Sequence, residues 1–393
     1  MKIVFIKQEF SLIITCAMTM TLFVKCKEEY DPNVEATTKR FLVVEGFLNS
    51  GSGPTTIRLS RSSDLKDTVL IPELNAQLNV EGEDGSNFLL FGNGNGEYSV
   101  SRLTLNNGMK YHLHIRTADG KEYASDYTAV KYTPPIDSIT WQRENDGLRI
   151  YANAYDPQGA SKYYQWKYEE TWEFHSAYYN ELKYIYDPVT TNPIGVIYKN
   201  PDLSADTTIY RCWNTLSSTS IILGSTEKLT SALVYLPVQY IEPHSEKLSI
   251  LYSINLRQYA ISHDEYLFLQ KMKKNTEQLG TIFDPQPSEI SGNIHCLTDP
   301  SETVIGFVEI SEERVQRTFI SNSQVPGWNY DPGCVLIAID NNPDSIAKYG
   351  TGVMPTLVKA KDFIRGIISF YASTPPCVDC TTRGIHQKPD FWP

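Results

Sequence analysis

The sequence has little positive charge for its length, and its basic residues form no cluster. It contains 393 residues, with 35 Lys and Arg against 46 Asp and Glu, a formal net charge of −11 at pH 7. Nucleic-acid binding depends on clustered Lys and Arg side chains that neutralise phosphates. The charge balance therefore argues against a nucleic-acid partner.

The sequence also lacks an apolar run long enough to span a bilayer, which takes about 20 residues. Its longest candidate, FSLIITCAMTMTLFV at residues 10–24, is preceded by Lys2 and Lys7. A basic start followed by a short apolar run is typical of a signal peptide, and we predict one over residues 1–25. The alternative is an uncleaved anchor helix.

Motifs of the common catalytic sites are missing as well. The chain has no H-E-x-x-H, G-x-S-x-G, P-loop or G-x-G-x-x-G sequence, and we expect no catalytic residue, metal or cofactor. One carboxylate cluster, Glu169, Glu170 and Glu173, lies in a strand rich in Tyr and Trp. Because one face of an antiparallel strand is commonly polar, we expect Glu169 and Glu173 on a solvated face. A catalytic carboxylate pair is the alternative, since such pairing is spatial.

A cysteine follows closely on the apolar run. In TLFVKCKEEYDPN, residues 21–33, Cys26 stands where a bacterial lipoprotein carries its lipid-modified cysteine. The residue before it, Lys25, replaces the small residue usual at that place. We predict that Cys26 is lipidated and is the first residue of the mature chain.

The residues after the cysteine carry a second localisation signal. They resemble the Lys-acidic-acidic export signal of surface lipoproteins of the Bacteroidota, and they are Lys27, Glu28 and Glu29. Beyond them the chain is polar and has no apolar period, so we predict a tether that completes a lipidated N-terminal segment over residues 26–40. Fully extended, such a tether reaches about 50 Å.

Aromatic residues are abundant, and they predict strands. The chain has 25 Tyr, 15 Phe and 6 Trp, residue types that suit a pleated, half-buried surface. From residue 41 onwards, short apolar runs alternate with turn residues at intervals typical of an antiparallel sandwich. The runs are FLVVEGF (41–47), TTIRLS (55–60) and AQLNVEG (76–82), followed by two predicted hairpins (87–103 and 109–130). We predict an immunoglobulin-like β-sandwich over residues 41–132.

A larger β-rich domain is expected over residues 133–393. It begins at a double proline, which cannot lie in a central strand and stiffens a linker. The polar segment 175–209 predicts a long loop or excursion. One prominent helix is predicted at about 263–279, because Ser262-x-x-Glu265 forms a capping-box sequence before residues at helical spacing.

The cysteines of the mature body are candidates for disulfides. If Cys16 leaves with the signal peptide and Cys26 carries lipid, five remain: Cys212, Cys296, Cys334, Cys377 and Cys380. Disulfides are the default in an exported protein, and an odd number leaves one thiol free or paired externally. We expect Cys334 to bond to one cysteine of the tail. A metal site or a redox motif at Cys377-x-x-Cys380 is the alternative.

Several stretches together resemble a family of Bacteroidota outer-membrane lipoproteins classed as domain of unknown function 4249. They include FLVVEGFLNSGSGPTTIRLSRS (41–62), YHLHIRTADGKEYASD (111–126), PPIDSITW (134–141), GTIFDPQPSEISGNI (280–294) and CVDCTTRGIHQKPDFW (377–392). The resemblance covers nearly all of the mature chain, with Lys25 as its departure from the family pattern. It implies a surface or periplasmic lipoprotein, often encoded beside a TonB-dependent outer-membrane transporter, and it implies no known reaction.

These features favour a non-enzymatic lipoprotein that captures a ligand. We expect it to be anchored in the outer membrane through its N-terminal lipid, exposed at the cell surface, and associated with a TonB-dependent transporter. The alternatives are a secreted hydrolase of glycans or peptides and a structural or adhesive module of the envelope.

Overall fold

Strand-forming sequence dominates the chain, and the mainly β fold that it predicts is confirmed. The computed structural model describes residues 40–62, 71–277 and 292–393. Within them, short apolar runs separated by Gly, Asn and Pro form twenty-five strands and three helices. No helix in these residues is both long and apolar enough to cross a membrane.

The strands fall into three consecutive groups. The first group is β1 (Leu42–Asn49), β2 (Thr55–Arg61), β3 (Ile71–Pro72), β4 (Gln77–Gly82), β5 (Asn87–Gly94), β6 (Glu97–Val100), β7 (Lys110–Arg116), β8 (Glu122–Ser125) and β9 (Thr128–Ala129). The second group is β10 (Ile136–Glu144), β11 (Gly147–Tyr155), β12 (Tyr163–His175), β13 (Leu182–Tyr186), β14 (Pro193–Tyr198), β15 (Arg211–Ser217), β16 (Ile222–Ser225), β17 (Leu233–Ile241) and β18 (Leu251–Ile261). The third group is β19 (Ile294–Cys296), β20 (Val304–Gly306), β21 (Ile310–Ser311), β22 (Arg314–Ser321), β23 (Ile337–Asp340), β24 (Met354–Asp362) and β25 (Gly366–Ser373). The helices are α1 (His263–Glu277), α2 (Pro343–Tyr349) and α3 (Pro375–Val378).

The first sheet has twelve strands among the described residues and surrounds one apolar core. Its order is β19-β8-β7-β4-β5-β6-β2-β1-β20, with β3, β9 and β21 pairing beside this path. Alternating residues such as Leu78 and Val80 of β4 are fully buried in that core. Because β19 and β20 occupy the two ends of the sheet, residues 294–306 complete a core that the 41–132 segment begins. The domain boundary at residue 133 stays a sequence prediction.

A tight turn joins β5 to β6, as the 87–103 hairpin pattern predicts. Asn95 and Gly96 form its two-residue loop, with φ angles of 51° and 74°. Positive φ at both positions is the signature of a type I′ turn, whose twist matches that of the flanking strands. A Cβ atom on Gly96 would lie 2.3 Å from the carbonyl oxygen of Leu59, so the position also needs glycine for space.

Two further sheets enclose a second core. One has the order β10-β11-β17, and the other has the order β15-β12-β18-β22, with β16 pairing to β12. Both sheets contribute buried side chains to that core, among them Ile150 of β11, Trp166 of β12, Val238 of β17 and Ile254 of β18. The two sheets form a sandwich, and its strand β12 carries Glu169, Glu170 and Glu173.

A third, smaller core brings together segments that are distant in sequence. Hairpin β13–β14 packs Leu182 and Val196 against Ile339, Ile346 and Phe370, which come from the β23-β25-β24 sheet and α2. The segment 175–209, which the sequence predicts to be a long loop or excursion, folds part of its length into this hairpin. Its apolar partners lie some 140 to 190 positions further along the chain, where a local pattern gives no sign of them.

Helix α1 begins at residue 263, as the capping sequence predicts, and its described part ends at Glu277. The capping box itself is only half formed. The Ser262 hydroxyl accepts a bond from the backbone N–H of Glu265 at 2.9 Å. The backbone N–H of Ser262 donates to the carboxylate of Glu309 at 2.9 Å, where a capping box would use Glu265. The predicted end of the helix, at about residue 279, lies outside the described residues.

Candidate functional site

An open cleft lies beside hairpin β13–β14. Its volume is about 670 Å³, within the range typical of small-molecule sites. Tyr184, Tyr186 and Asn192 line it from the hairpin, and residues 350–355 line it from the segment that leads into β24. Its lining within the described chain contains no Asp, Glu, His or Cys side chain. The groups present can stack on a ring and form hydrogen bonds with a polar ligand.

Tyr184 anchors the aromatic side of the cleft. Its hydroxyl donates to the carbonyl of Gly350 at 3.4 Å, and its ring meets Phe370 edge-on at 6.1 Å and Tyr186 at 6.3 Å. Burial, together with the neighbouring Tyr186, raises the pKa of Tyr184 to about 12. Its hydroxyl therefore stays protonated at neutral pH. Tyr186 is 57% exposed, so much of its ring is open to a ligand.

A polar network fixes the base of the hairpin. Lys199 pairs with Asp206 at 2.5 Å and donates to the side-chain oxygen of Asn180 at 3.0 Å. The buried amide of Asn180 donates to the carbonyls of Leu182 at 3.1 Å and Pro355 at 2.7 Å. Because Leu182 begins the hairpin and Pro355 lies in β24, these bonds hold the two sides of the cleft at a fixed distance.

The three glutamates of β12 have separate partners. Glu170 is buried, forms an ion pair with Lys247, and accepts from the Tyr252 hydroxyl at 2.9 Å and the Gln239 amide at 3.0 Å. Glu169 lies 3.6 Å from Arg317. Glu169 and Glu170 are neighbours and point to opposite faces of the strand. Glu173 shares the face of Glu169 but lies four residues further along, about 13 Å away, so the three carboxylates do not converge on one point. This arrangement gives no support to a catalytic carboxylate pair on this strand.

The expectation that Glu173 lies on a solvated face is wrong. Its side chain is 6% exposed, because Trp392 of the C-terminal tail covers it and donates its indole N–H to the carboxylate at 3.1 Å. Arg211 donates two hydrogen bonds to the same carboxylate, at 2.7 and 2.9 Å. Burial alone would raise the pKa of Glu173, but the hydrogen bonds from His175, Arg211 and Trp392 outweigh it and lower the pKa to about 2.

Four of the five candidate cysteines form disulfides. Cys212 is bonded to Cys380, and Cys334 is bonded to Cys377. Cys334 thus pairs with a cysteine of the tail, as expected. Cys296 is free and buried in the first core. The two cysteines of the Cys377-x-x-Cys380 sequence therefore bond to different partners. No group of three or more His, Cys, Asp and Glu side chains suited to a metal occurs in the part of the chain that the structure describes.

The N-terminal sites lie outside the described residues. They are Cys26, Lys27, Glu28 and Glu29, together with the signal peptide and nearly all of the tether. Lipidation and surface export remain predictions from the sequence.

The sequence did not single out the cleft residues; it predicted only the 175–209 loop or excursion to which several of them belong. A local signal was present, since that segment carries five tyrosines: Tyr178, Tyr179, Tyr184, Tyr186 and Tyr198. The pattern could not show which of them face a cleft, because the facing wall at residues 350–355 is distant in sequence.

The described chain is thus a mainly β protein with several apolar cores and an open, tyrosine-lined cleft. It belongs to the family described as domain of unknown function (DUF4249), whose sequence profile matches residues 27–317. The hairpin side of the cleft lies inside the matched region, and the wall at residues 350–355 lies beyond it. No curated protein matches the chain in sequence.

Solved structures show only distant likeness. Trypsin-activated alpha-2-macroglobulin from Escherichia coli is 13% identical, with a TM-score of 0.19 over 57% of this chain and 15% of that chain. A Salmonella alpha-2-macroglobulin mutant is 11% identical, with a TM-score of 0.18 over 85% of this chain and 18% of that chain. The Yersinia pseudotuberculosis adhesin InvE is 11% identical, with a TM-score of 0.14 over 56% and 55%. The chain therefore matches less than a fifth of either macroglobulin, and scores of this size carry no argument about function.

Proposed function

We propose that this protein is a non-enzymatic outer-membrane lipoprotein of a Bacteroidota cell, which captures a ligand at the cell surface beside a TonB-dependent transporter. The observation that carries the proposal is the cleft of Tyr184, Tyr186 and Asn192. It offers aromatic faces and an amide for a polar ligand, on a hairpin held in place by Asn180 and Lys199.

Export from the cytoplasm is supported by the cysteines as well as by the N-terminus. Disulfides form and persist in oxidising compartments, which include the bacterial periplasm, and are rare in the cytosol. The two disulfides among the described residues join positions 168 and 43 residues apart. They fit a protein that carries a signal peptide over residues 1–25 and a lipid on Cys26.

Pre-organisation of the cleft supports binding. Tyr178, at the start of the excursion, donates its hydroxyl to the carbonyl of Cys334 at 2.8 Å and its backbone N–H to the carbonyl of Cys377 at 3.0 Å. The excursion is thus hydrogen-bonded to both cysteines of the Cys334–Cys377 disulfide. A binding surface that is ordered in advance loses less entropy when a ligand arrives.

Ligand capture is tested with defined neutral oligosaccharides and short peptides as probes, by saturation-transfer NMR on the purified chain. We expect Tyr186→Ala to weaken binding of an active probe by up to about tenfold, the size of a lost aromatic contact. Tyr235→Ala is the matched control, because Tyr235 is 55% exposed and lies on β17, away from the cleft. Binding that survives Tyr186→Ala unchanged would place the ligand elsewhere.

Anchoring and partnership are tested in the cell envelope. We expect Cys26→Ala to release the protein from the membrane fraction, and retention of this variant with the signal cleaved elsewhere would contradict the lipoprotein assignment. The wild-type chain should co-purify with a TonB-dependent transporter from outer membranes. Absence of any transporter from that preparation would remove the partner from the proposal and leave ligand binding as a separate question.

A further inference from the structure

The turn between β24 and β25 exposes two adjacent, large apolar side chains at its tip. Phe363 is 105% exposed and Ile364 is 91% exposed, so neither touches the body of the protein appreciably. All residues from 359 to 366 are exposed. Single apolar residues are common on protein surfaces, but a pair of this size at a projecting turn is available to enter another apolar medium.

The tip is held in one conformation by its own backbone. The carboxylate of Asp362 accepts hydrogen bonds from the backbone N–H groups of Ile364 at 2.8 Å and Arg365 at 2.9 Å. Gly366 follows with a φ angle of +75°, which lets the chain enter β25 directly. The two apolar side chains are therefore presented together by an ordered turn.

Positive charge surrounds the apolar pair in an otherwise acidic chain. Lys361 and Arg365 flank it, and Lys359 lies further along β24 with its ammonium 6.0 Å from the centre of the Tyr371 ring. In the described part of the chain no carboxylate forms an ion pair with any of the three cations. The single acid within residues 359–366, Asp362, uses its carboxylate inside the turn. The local excess of cations contrasts with the formal net charge of −11 for the whole sequence.

We propose that residues 359–366 insert into the surface of a lipid bilayer that carries anionic phosphate headgroups. Phe363 and Ile364 enter the boundary of the acyl chains, and Lys359, Lys361 and Arg365 bind the phosphates. Interfacial segments use this combination of aromatic and aliphatic groups with cations, and each cation near an anionic surface adds to the attraction.

The tip could instead bind a pocket of another protein, but the surface area that it could bury is too small for a stable protein interface. A stable protein interface buries about 800 Å² on each partner. A projecting pair of side chains supplies a few hundred Å² at most, since a large aromatic side chain buries about 150–250 Å². A bilayer has no minimum area, so two side chains and three cations suffice for a weak contact.

The first experiment measures depth in the membrane. The purified full chain carries an environment-sensitive fluorescent amino acid in place of Phe363 and is mixed with vesicles of phosphatidylglycerol and phosphatidylcholine. We expect a blue shift and quenching by lipids brominated on their acyl chains. The same amino acid in place of Val189 is the matched control, because Val189 is 88% exposed in the turn between β13 and β14. Residues 187–192, which form that turn, include no Lys or Arg. An N-terminal lipid alone would leave both positions in water, so this readout is independent of the proposed anchor.

The second experiment measures affinity in the Cys26→Ala background by vesicle sedimentation. We expect the combination of Phe363→Ser and Ile364→Ser to lower binding by about tenfold or more, and Val189→Ser to leave it within about twofold. Replacing the three cations with Gln should remove the dependence on phosphatidylglycerol. Equal quenching at positions 363 and 189, or unchanged binding of the double variant, would overturn the proposal. The proposal would also be overturned if the double variant still bound vesicles but no longer co-purified with a protein that the wild-type chain retains. That result would assign the tip to a protein partner.

Discussion

The two disulfides give the sharpest quantitative prediction. One variant replaces Cys212 and Cys380 with Ala, and another replaces Cys334 and Cys377 with Ala. A cross-link stabilises the fold chiefly by reducing the entropy of the unfolded chain, and the effect grows with the number of residues in the closed loop. Removal of either bond should therefore destabilise the protein, and removal of the bond that closes the longer loop should cost more.

The magnitudes follow from the loop lengths. The Cys334–Cys377 bond joins positions 43 residues apart and the Cys212–Cys380 bond joins positions 168 residues apart. Chain entropy assigns about 4 kcal/mol to the shorter loop and about 5 kcal/mol to the longer one. The second pair should cost still more in practice, because Cys212 and Cys380 are fully buried in the second core and their removal leaves a cavity.

The assay is urea denaturation of the oxidised, purified chain, followed by circular dichroism. The free energy of unfolding comes from the transition midpoint and the slope, and the slope reports any change in the unfolded state. Cys296→Ala is the control, because Cys296 is equally buried but free, and we expect it to cost about 1 kcal/mol.

Two results would refute the reasoning. If neither double variant costs more than Cys296→Ala, the bonds do not constrain the unfolded chain. If loss of the shorter loop costs more than loss of the longer one, loop entropy does not set the order.

Three further predictions concern single residues. Burial and the nearby Glu309 raise the pKa of Glu265, so the stability that its neutral form gives is present below pH 4.5 and is lost as the pH rises. Glu265→Gln should raise the free energy of unfolding by about 1–3 kcal/mol at pH 8 and change it little at pH 4. Urea titrations at the two pH values measure this difference. The pKa of Glu173 is lowered to about 2, so its stabilisation is present above pH 4.5 and lost as pH falls towards 2. Glu173→Gln should lower the free energy of unfolding by about 2 kcal/mol at pH 7, a value reduced because the Arg211 side chain is 47% exposed. The variant should also lose less stability than the wild-type chain as the pH falls from 4.5 towards 2. Gly96→Ala places a Cβ atom 2.3 Å from a backbone oxygen at positive φ and should cost about 2–4 kcal/mol, whereas Gly120→Ala, with open space around it, should cost about 1 kcal/mol in the same assay.

Local sequence patterns determined much of the fold. The alternation of Leu78 and Val80 with polar neighbours marked a half-buried strand, because the side chains of a strand alternate between faces. Asn95-Gly96 marked a hairpin, because these residue types tolerate positive φ. Ser262 marked the start of α1, because its hydroxyl satisfies a free N–H of the first turn. Each of these signals acts within a few residues of chain.

The tertiary structure decided what depends on distant partners. Hairpin β13–β14 escaped the strand pattern because its outward positions include Ile185 and Ile197, which are 39% and 44% exposed, and so it shows no clean alternation. The environment of Glu173 was set by Trp392, which lies 219 positions away. The cap of Ser262 was completed by Glu309, 47 positions away, and not by the glutamate that the motif supplies.

The sequence by itself therefore determined the class of fold, the tight turns, the start of the main helix and a set of cysteines fit for disulfides. The tertiary structure alone decided which cysteines pair, which glutamates are buried and which tyrosines line a cleft. The physical reason is that backbone preference and side-chain alternation are properties of neighbouring residues. Cysteine pairing, burial and cleft formation require segments that are far apart in sequence to meet, such as the cysteine pairs separated by 43 and 168 residues.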